Sequence, residues 1–246
     1  MALLSPKPEM EKVMEENVIQ DPQILIPDPF AVKDCALIAL ATGKRSQNLR
    51  ELSNNLREIP QASVYYHFWG GLLLPRFEER EYNNDFAAWA RHALHDNTLA
   101  ERLAVVDPSE HPDIEGLRHE VLDIVEQRLD EVGHVPWSKI DQQFEFLLSK
   151  MVVFDTKMRF NTPRELAGHV NQLPLGGFFY HFIDARRRPP EKVDDFSSWL
   201  AGFGGEYDAL RGKLAAVDPY FTTLIQLRKR ISDIFEDYFE GGEHGA

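Results

Sequence analysis

Two histidines carry the side chains best suited to chemistry. His67 lies in Ser63-Val64-Tyr65-Tyr66-His67-Phe68 and His181 in Gly177-Phe178-Phe179-Tyr180-His181-Phe182. A histidine beside a tyrosine can move a proton near neutral pH or ligate a metal. Basic side chains precede each one in the same order, Arg45 and Arg50 before the first and Arg159 and Arg164 before the second. They flank two expected helix starts, where free backbone N–H groups and the helix dipole favour phosphate or carboxylate. The candidate ligand-binding residues are therefore His67, Tyr66, Arg50 and Arg45, with His181, Tyr180, Arg164 and Arg159 in the second copy.

Each of these residues also has a plainer role. The histidines can donate to backbone carbonyls inside an aromatic core, and the arginines can pair with the abundant carboxylates. Glu51 and Glu165 fit capping boxes better than general bases. Asp85 and Asp195 read as helix N-caps, and Asp107 and Asp218, each before proline, as turn residues. His92 and His95 stand three apart with no third ligand nearby, so no metal site is assigned. No phosphate-binding glycine loop, dinucleotide fingerprint or nucleophile elbow occurs, and no cofactor is expected. Arg186-Arg187-Arg188 is a basic run of the second copy alone, which reads as a solvated loop.

The elements that must position these residues recur at a shift of about 114 positions, falling to about 110 after a variable loop. Phe30-x-Val32 answers Phe144-x-Phe146, in an apolar segment that periodicity alone cannot assign; it is read as helix, with one short strand per repeat as the alternative. Asn48-Leu49-Arg50-Glu51 and Thr162-Pro163-Arg164-Glu165 are capping boxes that open helices running to Pro60 and Pro174. Ser63 is read as the cap of the next helix. Asp85-Phe86-x-x-Trp89 answers Asp195-Phe196-x-x-Trp199, and Val106-Asp107-Pro108 answers Val217-Asp218-Pro219. Closing helices carry apolar stripes at Ile114, Leu117, Val121 and Ile124, and at Leu224, Leu227, Ile231 and Ile234. Gly202 to Gly205 reads as a break between helices.

These patterns predict a mainly α fold made of two tandem, pseudo-twofold helical repeats. The expected division is an N-terminal tail or arm over 1–29, repeat 1 over 30–132, a linker over 133–143, repeat 2 over 144–240 and a tail over 241–246. Glu9 to Asn17 reads as a turn or two of helix, and Ile24, Leu25 and Ile26 as the packing side of an arm. The period is too long for a solenoid unit.

Composition narrows the function classes. With 27 Lys+Arg against 40 Asp+Glu the formal net charge is -13, which opposes nucleic acid. No apolar run is long enough for a membrane span, and the polar start is unlike a signal peptide. The single cysteine, Cys35, suits a reducing compartment, so a cytoplasmic protein is expected, as monomer or homodimer.

The aromatic-Tyr-His-Phe run, Asn84-Asp85-Phe86-Ala87-x-Trp89 and Leu99-Ala100-Glu101-Arg102-Leu103 before Asp107 resemble an uncharacterised bacterial family known only as a domain of unknown function. Thr42-Gly43-Lys44-Arg45 and Asn48-Leu49-Arg50-Glu51-Leu52 resemble its pattern too. The resemblance runs from about Phe30 to Glu240 and is stronger in the first copy; it implies no active site. The second copy departs at its loop, at Gly202 to Gly205 and at Leu210-Arg211-Gly212-Lys213-Leu214. The leading expectation is a non-enzymatic binding or regulatory protein for a small anion or a protein partner. One alternative is an enzyme acting on a phosphorylated or carboxylated small molecule through a Tyr-His pair, and another is a structural assembly protein.

Overall fold

The computed structural model describes residues 27–73 and 81–241, so the expected helix over 9–17 and the arm at 24–26 lie outside the described residues. Among the described residues the chain is mainly helical, with ten α-helices and one two-stranded antiparallel sheet. Strand β1 (Phe30–Ser46) is followed by α1 (Leu49–Glu58), α2 (Gln61–Trp69), α3 (Asp85–His92), α4 (Asn97–Ala104) and α5 (Ile114–Glu131). Strand β2 (Phe144–Phe160) leads into α6 (Pro163–Ala167), α7 (Leu175–Phe178), α8 (Asp195–Ala201), α9 (Asp208–Ala215) and α10 (Leu224–Gly241). A π-helical stretch, Phe179–Asp184, continues α7 and carries His181.

The helical reading of 30–41 and 144–155 is overturned: both segments are strands of 17 residues, longer than the short-strand alternative. Phe30-x-Val32 and Phe144-x-Phe146 already carried the period-2 spacing of a half-buried strand. What fixes that choice is a partner about a hundred residues away or more, since Phe30 lies opposite Phe160 and Ser46 opposite Phe144. The register slips between Ala31 and Lys33 and again between Ala41 and Arg45. Each slip is a bulge organised by a threonine: Thr42 donates to the Phe146 carbonyl at 2.6 Å and Thr156 to the Val32 carbonyl at 2.7 Å. The residue after each threonine, Gly43 or Lys157, takes a positive φ of 79° or 68°. Glycine does so freely, whereas a lysine there is strained.

Only the ends of this ribbon are buried, and each strand's start is packed by the other part of the chain. Phe144 stacks on Phe86 of α3 at 5.0 Å and meets Trp89 at 5.6 Å. Phe30 stacks on Phe196 of α8 at 5.2 Å and meets Trp199 at 5.4 Å. The middle of the ribbon leaves Ile38, Leu40, Val152 and Phe154 exposed on one face.

The capping boxes form as expected. Asn48 accepts from the Glu51 amide at 3.0 Å while Glu51 accepts from the Gln47 amide at 2.8 Å. Thr162 and Glu165 repeat this with the Glu165 and Asn161 amides, at 3.2 and 2.8 Å. The helix expected to reach Pro174 stops at Ala167, because Gly168 ends it and a single 3-10 turn, Val170–Gln172, follows. Ser63 is not a cap; α2 begins two residues earlier, and the Ser63 hydroxyl donates to the Leu147 carbonyl of β2 at 2.6 Å. The helix break at Gly202 to Gly205 falls between α8 and α9.

Candidate functional site

The N-caps of α3 and α8 are Asn84 and Asp194, one residue before the expected Asp85 and Asp195. Their side chains accept from the Ala87 and Ser197 amides, both at 2.9 Å. Asp85 and Asp195, relieved of capping, turn to the histidines instead. His67 Nδ1 lies 3.0 Å from Asp85 and His181 Nδ1 lies 2.6 Å from Asp195. The other ring nitrogen faces the ribbon beside a bulge: His67 Nε2 accepts the Leu147 amide at 3.2 Å and His181 Nε2 accepts the Lys33 amide at 2.9 Å. A backbone N–H can only donate, so Nε2 is the acceptor and Nδ1 carries the proton that bonds to the carboxylate. Both rings are buried, at 2% and 3% exposure. Each histidine is thus a post joining a helix start to a strand from the other part of the chain.

The other expected site residues do not gather around these rings. Arg45 pairs with Glu145 across the ribbon at 2.8 Å, and Arg159 with Asp155 at 2.8 Å. Arg159 and the Lys157 amide together hold the Asp155 carboxyl well below the usual carboxylate range. Arg50 is exposed on α1, and Arg164 lies over the Phe239 ring at 5.3 Å. Tyr180 is covered by the Arg188 guanidinium at 4.3 Å, and Arg188 also bonds to Asp195 at 2.8 Å. Tyr66 borders a small hollow of about 300 Å³ with Asp34, Cys35 and Gly176. Among the described residues no three His, Cys, Asp or Glu side chains are grouped to hold a metal, and no helix is long and apolar enough to cross a membrane.

In that hollow the Cys35 thiol donates to the Gly176 carbonyl at 3.1 Å. Burial, with Asp34 and Asp184 nearby, pushes it up to about 12. The thiolate is the nucleophile, so native Cys35 is expected to react with iodoacetamide at pH 8 more than a hundredfold more slowly than in denaturant, followed by mass spectrometry. Because the folded thiol keeps its proton after the unfolded one, near 9, has lost it, this group's contribution to stability falls as pH rises from 9 towards 12.

A larger cleft of about 1100 Å³ opens where the two parts of the chain meet. One wall is α2, through Gln61, Tyr65 and Trp69; the others are the two Asp-Pro turns and the loop that holds Arg186-Arg187-Arg188. That loop is half-buried rather than solvated. Arg186 ties it to α9, donating to the Val217 and Leu214 carbonyls at 2.9 and 2.8 Å. Lys192 donates to the Pro112 carbonyl at 2.8 Å, and Tyr65 donates to Asp184 at 3.1 Å. Burial raises the Asp184 carboxyl, against the pull of Arg188.

Arg187 differs from its neighbours. Its guanidinium lies over Trp69 at 4.1 Å from the ring centre and 5.8 Å from that of Tyr65, which itself stacks on Trp69 at 5.0 Å. Among the described residues it has no hydrogen bond and no ion pair, so its N–H edge is left for the cleft. Burial lowers its pKa, opposed by Tyr65, Asp184 and Asp113. The basic run was visible in the sequence, but its counterpart walls come from three distant segments, which no local pattern could indicate.

The solved structure of OrfY from the archaeon Thermoproteus tenax is similar, with a TM-score of 0.73 and 26% sequence identity over 85% of this chain and 96% of that one. A bacterial origin for the family gains nothing from this archaeal likeness, and curated proteins gave no match. A single family model spans residues 27–236, both expected repeats together, and the chain belongs to that family of unknown function, DUF5752.

Proposed function

We propose that this chain is a binding or regulatory protein whose two pseudo-equivalent halves, descended from one duplicated unit, enclose a small anionic ligand between them. The observation that carries the ligand is Arg187, a half-buried guanidinium over the Trp69 ring with its donor edge unengaged at the wall of a cleft. A planar fork held against an aromatic face is pre-organised for bidentate contact with carboxylate or phosphate. The duplication is supported by matched strands, matched capping boxes and matched Asp–His–amide posts. The Tyr-His enzyme alternative is less favoured, because both nitrogens of each ring are already engaged in holding the ribbon.

Titration calorimetry with inorganic phosphate tests the reading. Binding is expected to weaken by about tenfold or more in Arg187→Gln, the scale of a lost charged hydrogen-bond pair. Lys229→Gln, which removes an exposed cation on α10, is expected to leave binding unchanged. Phosphate affinity that ignores Arg187 would refute the assignment.

A further inference from the structure

Resting on that reading of the cleft, we infer that anion binding at Arg187 is coupled to the uptake of a proton by Asp184, so that the cleft grips its ligand more tightly as the solution becomes acidic. Asp184 ends the π-helical stretch and lines the same cleft as Arg187, which follows it three residues later. Its side chain is 16% exposed. Oδ1 accepts from the Tyr65 hydroxyl at 3.1 Å, and Oδ2 lies 3.3 Å from Arg188 Nε. The ring of Tyr65 in turn lies 5.8 Å from the Arg187 guanidinium. Carboxylate, phenol and guanidinium thus share one corner of the cleft.

Burial raises the Asp184 carboxyl; Arg188, the Tyr65 hydrogen bond and Arg187 pull the other way, and Asp195 adds to the rise. Arg188 divides its charge, because its Nη2 bonds to Asp195 at 2.8 Å. Among the described residues Arg187 has no ion pair, so its field is the support that a ligand would take from Asp184. An anion seated on Arg187 cancels that positive charge and sets a negative one beside a largely buried carboxylate, where water screens poorly. A proton on Asp184 removes the repulsion. The Tyr65 contact survives, since a neutral acid keeps a carbonyl oxygen that accepts from the hydroxyl. The sign follows from linkage. Asp184 takes its proton at higher pH with ligand than without, so affinity rises as pH falls through that window and is level on either side of it. Cys35 of β1 faces Asp184 as a neutral thiol, and Asp113 and His111 also line the cleft.

The test uses sulfate, whose double charge is constant from pH 5 to pH 8, on the full chain. Calorimetry is expected to show binding about threefold or more tighter at pH 5 than at pH 8, the scale of a carboxyl midpoint displaced by about one pH unit. In a pH-stat between pH 5 and pH 6, saturating sulfate should draw protons from solution with the unaltered chain and not with Arg187→Gln. Asp184→Asn mimics the protonated acid and keeps an oxygen for Tyr65. It should bind sulfate at pH 8 about threefold or more tighter than the unaltered chain, with most of the rise towards pH 5 gone. Whatever His111 and the Asp-Pro carboxylates contribute persists in this variant, so the difference between the two profiles belongs to Asp184. Sulfate that needs Arg187 but draws no proton, or an Asp184→Asn profile parallel to that of the unaltered chain, would overturn the coupling and leave the anion reading standing. Sulfate that binds equally well in Arg187→Gln, or not at all at millimolar concentration, would overturn both.

Discussion

Replacing Gly176 by alanine is expected to cost about 3 kcal/mol or more, the upper range for overpacking a close-packed site. A Cβ built there would collide with the Cys35 carbonyl oxygen and with Asp34, and one at Gly177 would stand 2.6 Å from the Lys33 carbonyl oxygen. Strand backbone cannot step aside as a side-chain tip can, because β1 is held by β2 along its length. The pair of glycines exists so that α7 can lie directly against the strand. In a chain of this size the loss corresponds to a fall in melting temperature of roughly 6–12 °C. Gly212→Ala on α9 is the control, since nothing lies within 4 Å of its added carbon. Equal melting temperatures for Gly176→Ala and Gly212→Ala would contradict the close approach.

His181→Ala and His67→Ala should each destabilise by about 3–5 kcal/mol, as truncation of a buried ring does. The losses combine a cavity beside Phe30 or Phe144 with an orphaned strand amide, at Lys33 or Leu147. Phenylalanine at either position separates the two. It refills the space, so the residual loss of about 1–3 kcal/mol is that of the unsatisfied amide and carboxylate. Hydrogen exchange reads the same event locally, with the Lys33 amide expected to lose protection in His181→Phe and the Leu147 amide in His67→Phe. Protection that is unchanged in both would show that the posts do not hold the ribbon.

Much of this was legible in the sequence, and the misses have physical causes. The capping boxes follow from four adjacent residues and formed as expected. The caps of α3 and α8 lie one residue before the aspartates that the sequence suggests, because Asn84-Asp85 and Asp194-Asp195 each offer two competent side chains. What decides between them is the histidine, on the preceding helical segment, that claims the second. The strands read as helix in the sequence because a short apolar run takes its identity from its partner. The bulges were hidden in Thr42-Gly43 and Thr156-Lys157, where only the first pair carries a turn-like glycine. Arg187 reads in the sequence as one member of a charge run, since neither Trp69 nor the Asp-Pro turns adjoin it in the chain.

The ribbon has a consequence for how the protein is made. Its rungs join residues separated by 98 to 130 positions, with Phe30 waiting for Phe160. While the ribosome is still adding residues 47 to 143, β1 is an unpaired edge whose own histidine post, His181, has not been synthesised. Non-local pairing of this kind is slow and leaves apolar strand surface open in the interval. The nascent chain therefore reaches its finished state only after β2 has emerged, and its period of greatest exposure to aggregation is set by translation speed across the intervening helices.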